Sequence, residues 1–190
     1  HISWYQLTIE PNTVFYSDPP TLPAEDVIFS IQQAGLDMLT KGGYEQYEVS
    51  AFAKPAGESR HNINYWKFGD YIGIGAGAHG KITCIDTQDI IRTRKPRQPN
   101  QYMKSKKGAG TQKKSVPPNQ RPLEFMMNAL RLRKGIPSIY YTQRTGLHLN
   151  SIMPIVTKLT KDGLWANDDQ SLGTSALGYQ FLNEVIQNFC

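Results

Sequence analysis

The chain has 190 residues, room for one large domain or two small ones, and its 39% hydrophobic content suffices for a real core. It has no apolar run long enough to span a bilayer, and its two cysteines are too few for a disulfide framework. The formal charge of +5 is local, since ten Lys and Arg and no Asp or Glu lie between Arg92 and Arg121, while the other 11 basic residues face all 16 acidic ones.

The first residue is His1, and the chain enters directly a strand-like run, Ile2 to Ile9, which reads as an amino end cut from a longer protein. Glu10-Pro11 ends that strand, and a long loop with Pro19-Pro20 follows. Pro23 and the acidic pair Glu25-Asp26 then open a helix through Val27, Ile31, Ala34, Leu36 and Leu39. Gly42-Gly43 stops it, as glycine beyond a helix end does by adopting positive φ. A second strand, Tyr44 to Phe52, is rich in aromatic and β-branched residues. Strand, helix and strand in this order predict a βαβ unit with parallel pairing and a right-handed crossover.

A third short strand near Tyr71–Ile74 precedes a glycine turn, and Ile82–Ile85 with Ile90–Thr93 predict a hairpin around Asp86-Thr87-Gln88-Asp89. The Lys/Gly/Pro/Gln-rich stretch 96–120 reads as a solvated basic linker, with an anion-binding patch as the alternative. Beyond it, Pro122 to Leu132 is an amphipathic helix with Pro in its first turn and Gly135 after it. A helix from Ser151 to Lys161, the turn Asn167-Asp168-Asp169-Gln170 and a helix from Ser175 to Phe189 complete a winged-helix-like pattern.

Chemistry concentrates in two neighbouring segments. Gly75-Ala76-Gly77-Ala78-His79-Gly80 matches G-x-G-x-x-G, but that fingerprint needs a helix after the glycines and an acidic residue about 20 positions on. Here Lys81-Ile82-Thr83-Cys84-Ile85 reads as strand and position 95 is Lys, so a dinucleotide site is excluded; either close approach of a ligand or a packing turn explains the glycines. The second segment is His61-Asn62-Ile63-Asn64-Tyr65-Trp66. A neutral imidazole is a good axial ligand for haem iron, and aromatic rings pack against a porphyrin face. A surface or capping histidine beside core aromatics explains the same residues, and His79 has the same two readings. His148 and His1 carry no ligand signal. Cys84 reads as a small buried hydrophobe, and the cysteine usage fits a reducing compartment. Glu10, Thr8, Glu48 and Ser50 stand on or at the end of strands, where a barrel would form its site. Lys158 and Lys161 are the only basic residues between Asn150 and Gly163, which makes a phosphate-tracking helix weak.

Tyr5-Gln6-Leu7-Thr8-Ile9-Glu10-Pro11, Tyr47-Glu48-Val49-Ser50-Ala51-Phe52-Ala53, His61-Asn62-Ile63-Asn64-Tyr65-Trp66 and Gly73-Ile74-Gly75-Ala76-Gly77-Ala78-His79 together resemble one family. It is the oxygen-independent coproporphyrinogen III oxidase-like group of radical S-adenosylmethionine proteins, and specifically its HemW branch of haem chaperones. Glu124-Phe125-Met126-Met127, Leu130-Arg131-Leu132 and Gly135 resemble the start of that family's carboxy-terminal domain.

The resemblance implies an α/β fold in which residues 1–95 form the last strands and helix of a partial TIM-type barrel. Residues 121–190 would then be a small winged-helix-like domain. It implies haem as ligand through the H-N-x-x-Y-W motif at His61, Asn62, Tyr65 and Trp66, with His61 on the metal. Gln6, Thr8, Ala78 and His79 would lie near a pocket for S-adenosylmethionine. The family's [4Fe–4S] cluster needs a three-cysteine motif that this sequence lacks, so the chain should be inactive alone as a radical enzyme. Three functions stay open: a haem chaperone delivering to acceptor proteins, a coproporphyrinogen oxidase, and a winged-helix nucleic-acid module, with no nucleic acid as the expectation. The resemblance implies a cytoplasmic location and leaves membrane association open. A barrel edge exposed between strands would be a route to self-association.

Overall fold

A computed structural model describes residues 1–105, 110–166, 168 and 170–190, in two units, His1–Ser59 and Arg60–Cys190. Lys106, Lys107 and Gly108 of the basic stretch, and Asn167 and Asp169 of the polar turn, lie outside the described residues.

The first unit contains β1 (Ile2–Ser3), α1 (Val14–Ser17), α2 (Glu25–Lys41), β2 (Glu45–Glu48) and β3 (Ala51–Ala53). Helix α2 begins on Glu25 and Asp26, whose charges complement the exposed amides of its first turn. It ends as the glycines predict. Gly43 takes φ +77°, its amide donates to the Thr40 carbonyl at 3.0 Å, and the Tyr44 amide donates to the Leu39 carbonyl at 3.0 Å. Those two bonds satisfy carbonyls that the helix end would otherwise leave open.

The strands depart from expectation. The run read as one strand from Ile2 to Ile9 pairs only at Ile2 and Ser3, and after the Trp4 amide reaches the Ser50 carbonyl at 2.8 Å the ladder stops. The second run is a hairpin: it folds at Val49-Ser50, where the Gln46 side-chain amide donates to the Val49 carbonyl at 3.1 Å. The sheet order is β1-β3-β2 and both pairings are antiparallel, so the parallel βαβ unit is not formed. Side-chain composition marked the strand residues but could not show that the chain reverses between them.

The second unit opens with α3 (Arg60–Trp66), followed by β4 (His79–Thr83) and β5 (Ile90–Arg94), an antiparallel hairpin that starts three residues earlier than expected. Tyr71 forms an isolated bridge to Lys81, and the expected strand 71–74 is otherwise absent. The stretch 96–120 is more than a solvated linker at its described residues. It carries α4 (Pro99–Lys104) and an edge strand β6 (Gln112–Ser115), antiparallel to β5. Two lysines on that edge strand discourage further strand addition.

Then come α5 (Arg121–Ala129), β7 (Ile136–Pro137), α6 (Ile139–Thr145), α7 (Met153–Lys161), β8 (Ser171–Leu172), α8 (Ala176–Gln180) and α9 (Leu182–Gln187). Helix α6 has no counterpart in the sequence reading. The expected helix Ser175–Phe189 is broken at Phe181, whose φ and ψ are −106° and 40°. β7 and β8 pair antiparallel, with a further bridge between Trp165 and Thr174.

The core of this unit is aromatic at its centre. Phe68 meets the Phe125 ring edge-on at 5.5 Å, and Phe125 meets Tyr141 at 5.3 Å and 86°. Phe125, Met126, Ala129 and Leu130 have no exposed surface. The buried Arg121 donates to the Val116 carbonyl at 3.1 Å and the Thr145 carbonyl at 2.8 Å, fixing the end of β6 to the end of α6. No helix among the described residues is long and apolar enough to cross a membrane.

Candidate functional site

Helix α3 carries the H-N-x-x-Y-W segment, and its far end is held rigidly. The Phe68 amide donates to the Tyr65 carbonyl at 2.9 Å and the Gly69 amide to the Asn64 carbonyl at 2.8 Å. This is the same two-bond termination as in α2, but the left-handed position is Phe68, at φ +57°. A bulky side chain there is strained by an amount on the order of 1–3 kcal/mol, and it persists only where surroundings over-determine it. Here they do, because the Phe68 ring is 2% exposed, meets Phe125 edge-on and lies 4.3 Å from the Lys81 ammonium. Asn64 completes the termination, donating its side-chain amide to the Asp70 carbonyl at 3.0 Å.

A helix places residues four apart on one face. His61 and Tyr65 therefore pair, with the rings 4.7 Å apart and nearly perpendicular. The Tyr65 ring in turn lies 4.3 Å from Tyr71. His61 is exposed, and its imidazole takes no hydrogen bond among the described residues. Trp66 sits on the neighbouring face with Asn62. Its ring is covered by the Arg131 guanidinium at 4.2 Å, and its buried Nε1 has no hydrogen-bond partner among the described residues. Three of the motif residues thus differ: His61 is exposed, Tyr65 is half-buried between the His61 and Tyr71 rings, and Trp66 helps to anchor the helix.

Tyr71 also lines a cleft of roughly 350 Å³ with His79, Arg92, Glu124, Met127 and Asn128. Arg92 donates to one Glu124 oxygen from Nε at 3.0 Å and from Nη2 at 2.6 Å, and its Nη1 donates to the Tyr71 hydroxyl at 3.1 Å. His79 is exposed at the start of β4. Tyr71, Arg92 and Glu124 were missed by the sequence reading, because they come from three separate elements. The single sequence signal was Tyr71, an aromatic residue beside the glycine turn.

Beneath the cleft lies Lys81, 1% exposed. Its ammonium donates to the Phe68 carbonyl at 3.1 Å, to Asp70 Oδ1 at 2.7 Å and to the Thr83 hydroxyl at 3.1 Å. Burial pulls the Lys81 ammonium below the usual lysine range although the Asp70 carboxylate opposes it. For Asp70, partial burial acts upward, but hydrogen bonds from Lys81 and from the Thr83 amide and hydroxyl outweigh it and the net displacement is downward.

The glycine turn is shaped by packing. The Gly75 amide donates to the Tyr102 hydroxyl at 3.1 Å and the Gly77 amide to the Pro96 carbonyl at 2.7 Å, so neither is free to cradle a phosphate. A Cβ on Gly73 would lie 2.2 Å from the His79 carbonyl oxygen. A strand follows the glycines, as expected, and the Ala78 carbonyl accepts from the Lys95 amide at 2.8 Å.

Gln6 and Thr8 belong to the first unit and Ala78 and His79 to the second. Gln6 lines a first-unit cleft of roughly 410 Å³ with Trp4, Leu36 and Phe52, and Thr8 is outside its lining. Glu48 is buried. His148 Nδ1 accepts from the Asn150 amide at 3.3 Å, and His1 Nε2 lies 3.0 Å from the Tyr47 hydroxyl, so both act locally. Cys84 is half-buried rather than buried and Cys190 is exposed, both as free thiols. No group of three His, Cys, Asp or Glu among the described residues could hold a metal ion.

Residues 116–181 match the family described as HemN C-terminal domain. The chain is 42% identical over 189 residues to the heme chaperone HemW of Escherichia coli, covering 100% of this chain and 49% of that protein. It is 30% identical over 197 residues to the heme chaperone HemW of Bacillus subtilis, covering 100% of this chain and 50% of that protein. Among solved structures it resembles the coproporphyrinogen III oxidase HemN of Escherichia coli, a radical SAM enzyme. The TM-score is 0.61 at 17% identity, over 88% of this chain and 42% of that one. At that identity the likeness concerns the fold. The chain spans about half the length of these relatives.

Proposed function

We propose that the chain, similar over its whole length to HemW heme chaperones and matching the HemN C-terminal domain at residues 116–181, is part of a protein that binds haem and passes it to acceptor proteins. The observation that carries this reading is the exposed His61 imidazole, free of hydrogen bonds among the described residues and backed by the Tyr65 and Tyr71 rings, on a helix whose end is anchored by the buried Phe68. A histidine so presented has a lone pair available for iron, and the two rings beside it offer apolar surface to a macrocycle. Tyr65 sets the imidazole orientation by its edge contact. Asn62 and Trp66 act by seating the helix rather than by touching the cargo.

The finer architecture follows the same relationship. Residues 121–190 run α5, β7, α6, α7 and then β8 back against β7, an order that supports a winged-helix-like domain. Residues 1–95 are assigned to the closing part of a partial TIM-type barrel on the fold likeness to HemN, with the antiparallel pairing of β1–β3 standing against it.

The residues present do not fit the family's [4Fe–4S] cluster, because two cysteines far apart in sequence cannot supply three ligands. For S-adenosylmethionine, the polar Gln6 on an otherwise largely apolar first-unit cleft is compatible, and Gln6 is the candidate that this cleft supports. Oxidation of coproporphyrinogen is the second reading, favoured by the HemN fold likeness. A cytoplasmic location is part of the proposal.

The test uses the full-length parent. Haem titration followed by Soret absorbance should show saturable binding, and bound haem should move to an apo-haemoprotein acceptor. Turnover of coproporphyrinogen III by the cluster-reconstituted protein, without haem binding, would overturn the chaperone reading.

A further inference from the structure

The register of the β4–β5–β6 sheet gathers cations that the proposed iron contact does not use. His79 stands opposite Arg94, and Arg94 opposite Gln112. In the next row on the same face, Lys81 stands opposite Arg92 and Arg92 opposite Lys114. Alternate residues of a strand share a face, so His79, Arg92, Arg94 and Lys114 all lie on the side that lines the cleft beside Tyr71. Two acidic groups oppose this face, and both are taken: Glu124 by Arg92 and Asp70 by Lys81. Arg94 and Lys114 form no ion pair among the described residues. The face therefore carries surplus positive charge next to an aromatic wall. That wall leads directly back to His61, through the Tyr71–Tyr65 and Tyr65–His61 ring contacts.

We propose that this sheet face is a carboxylate-binding subsite, in which Arg94, Lys114 and His79 receive the propionates of a tetrapyrrole whose iron is held by His61. The inference rests on the haem reading given above and extends it. A porphyrin is an apolar disc with iron at its centre and anionic chains along one edge. The structure offers the matching sequence of groups: a lone imidazole, tyrosine rings, then guanidinium and ammonium groups. Arginine suits this role because its planar donors match a carboxylate. Glu124 would repel a propionate if it were free, and its two hydrogen bonds from Arg92 remove that conflict.

The experiment compares three probes on the full-length protein: haem, haem dimethyl ester and metal-free protoporphyrin IX. The variants are Arg94→Gln, Lys114→Gln and His61→Ala, each checked for folding by its thermal melt. Lys114 is exposed on an edge strand, so that variant keeps the test alive if Arg94→Gln unfolds. The expected result is that Arg94→Gln and Lys114→Gln weaken haem and protoporphyrin IX about three- to tenfold each while leaving the ester unchanged. Added salt should weaken haem more than its ester. If haem binds through His61 but both charge variants bind it as tightly as wild type, the subsite is wrong and the chaperone reading stands. If the charge variants weaken protoporphyrin IX but His61→Ala has no effect on haem, the subsite stands and the iron contact fails. If no probe binds wild type, both fall.

Discussion

The helices of the two units treat their apolar side chains differently. In the second, Phe125, Met126, Leu130, Tyr141 and Val185 are fully buried, and the aromatic contacts Phe68–Phe125–Tyr141 tie three elements together. In the first, α2 is 17 residues long with regular apolar spacing and buries none of them, and Phe29 and Met38 are 63% and 74% exposed. Apolar periodicity therefore predicts a helix in both units but a buried helix face in only one, since the buried residues of the first unit lie on its strands. Its lesson is that the second unit can hold a side chain in a strained or precise position, as it does Phe68. The exposed apolar surface of the first unit marks a face suited to covering.

Truncation of a core side chain should separate the units most sharply. Phe125→Ala should cost about 3–5 kcal/mol in denaturant unfolding, and Phe29→Ala in α2 less than about 0.5 kcal/mol. Equal costs would end the distinction. Gly178 of α8 comes next: a Cβ there would lie 1.9 Å from the Leu164 carbonyl oxygen, so Gly178→Ala should destabilise by about 1–3 kcal/mol. In the first unit Gly43 has positive φ but open space around its α-carbon, so Gly43→Ala should cost only about 1 kcal/mol, from backbone strain alone. A larger loss at Gly43 than at Gly178 would reverse the ranking.

A further effect, read against pH, concerns Asp70. Its carboxyl is held below the ordinary range, so the unfolded chain binds more protons than the folded one as pH falls. The stabilisation is complete above the unfolded aspartate value and is lost as pH drops through the folded one. Asp70→Asn should therefore flatten the acid limb of urea midpoint against pH, and an unchanged limb would show that the Lys81 pair contributes nothing there.

Local signals were legible where a single residue sets the backbone. The glycine ends of α2 and α7, and the strand after Gly75–Gly80, follow from residue chemistry. Gly163 at φ +72° closes α7 with the Leu164 amide on the Leu159 carbonyl at 2.9 Å. Pairing was not legible, because the turn at Val49-Ser50 carries no glycine or proline and the parallel reading depended on a continuous strand. The basic stretch hid β6, since an edge strand needs no apolar face and Gln112–Ser115 has none. At the site, His61 could be named from its motif. The cleft of Tyr71, Arg92 and Glu124 could not, because its members meet only through the sheet register and the packing of α5.

The proposed haem chemistry requires that His61 meet iron. Its most direct test is the axial-ligand signature of the haem complex, read by electron paramagnetic resonance and resonance Raman spectroscopy in wild type, His61→Ala, and His61→Ala with added imidazole. Wild type should give a nitrogen-ligated spectrum, which should be lost in the variant and return with imidazole. The same ligated spectrum and affinity in His61→Ala without imidazole would contradict it.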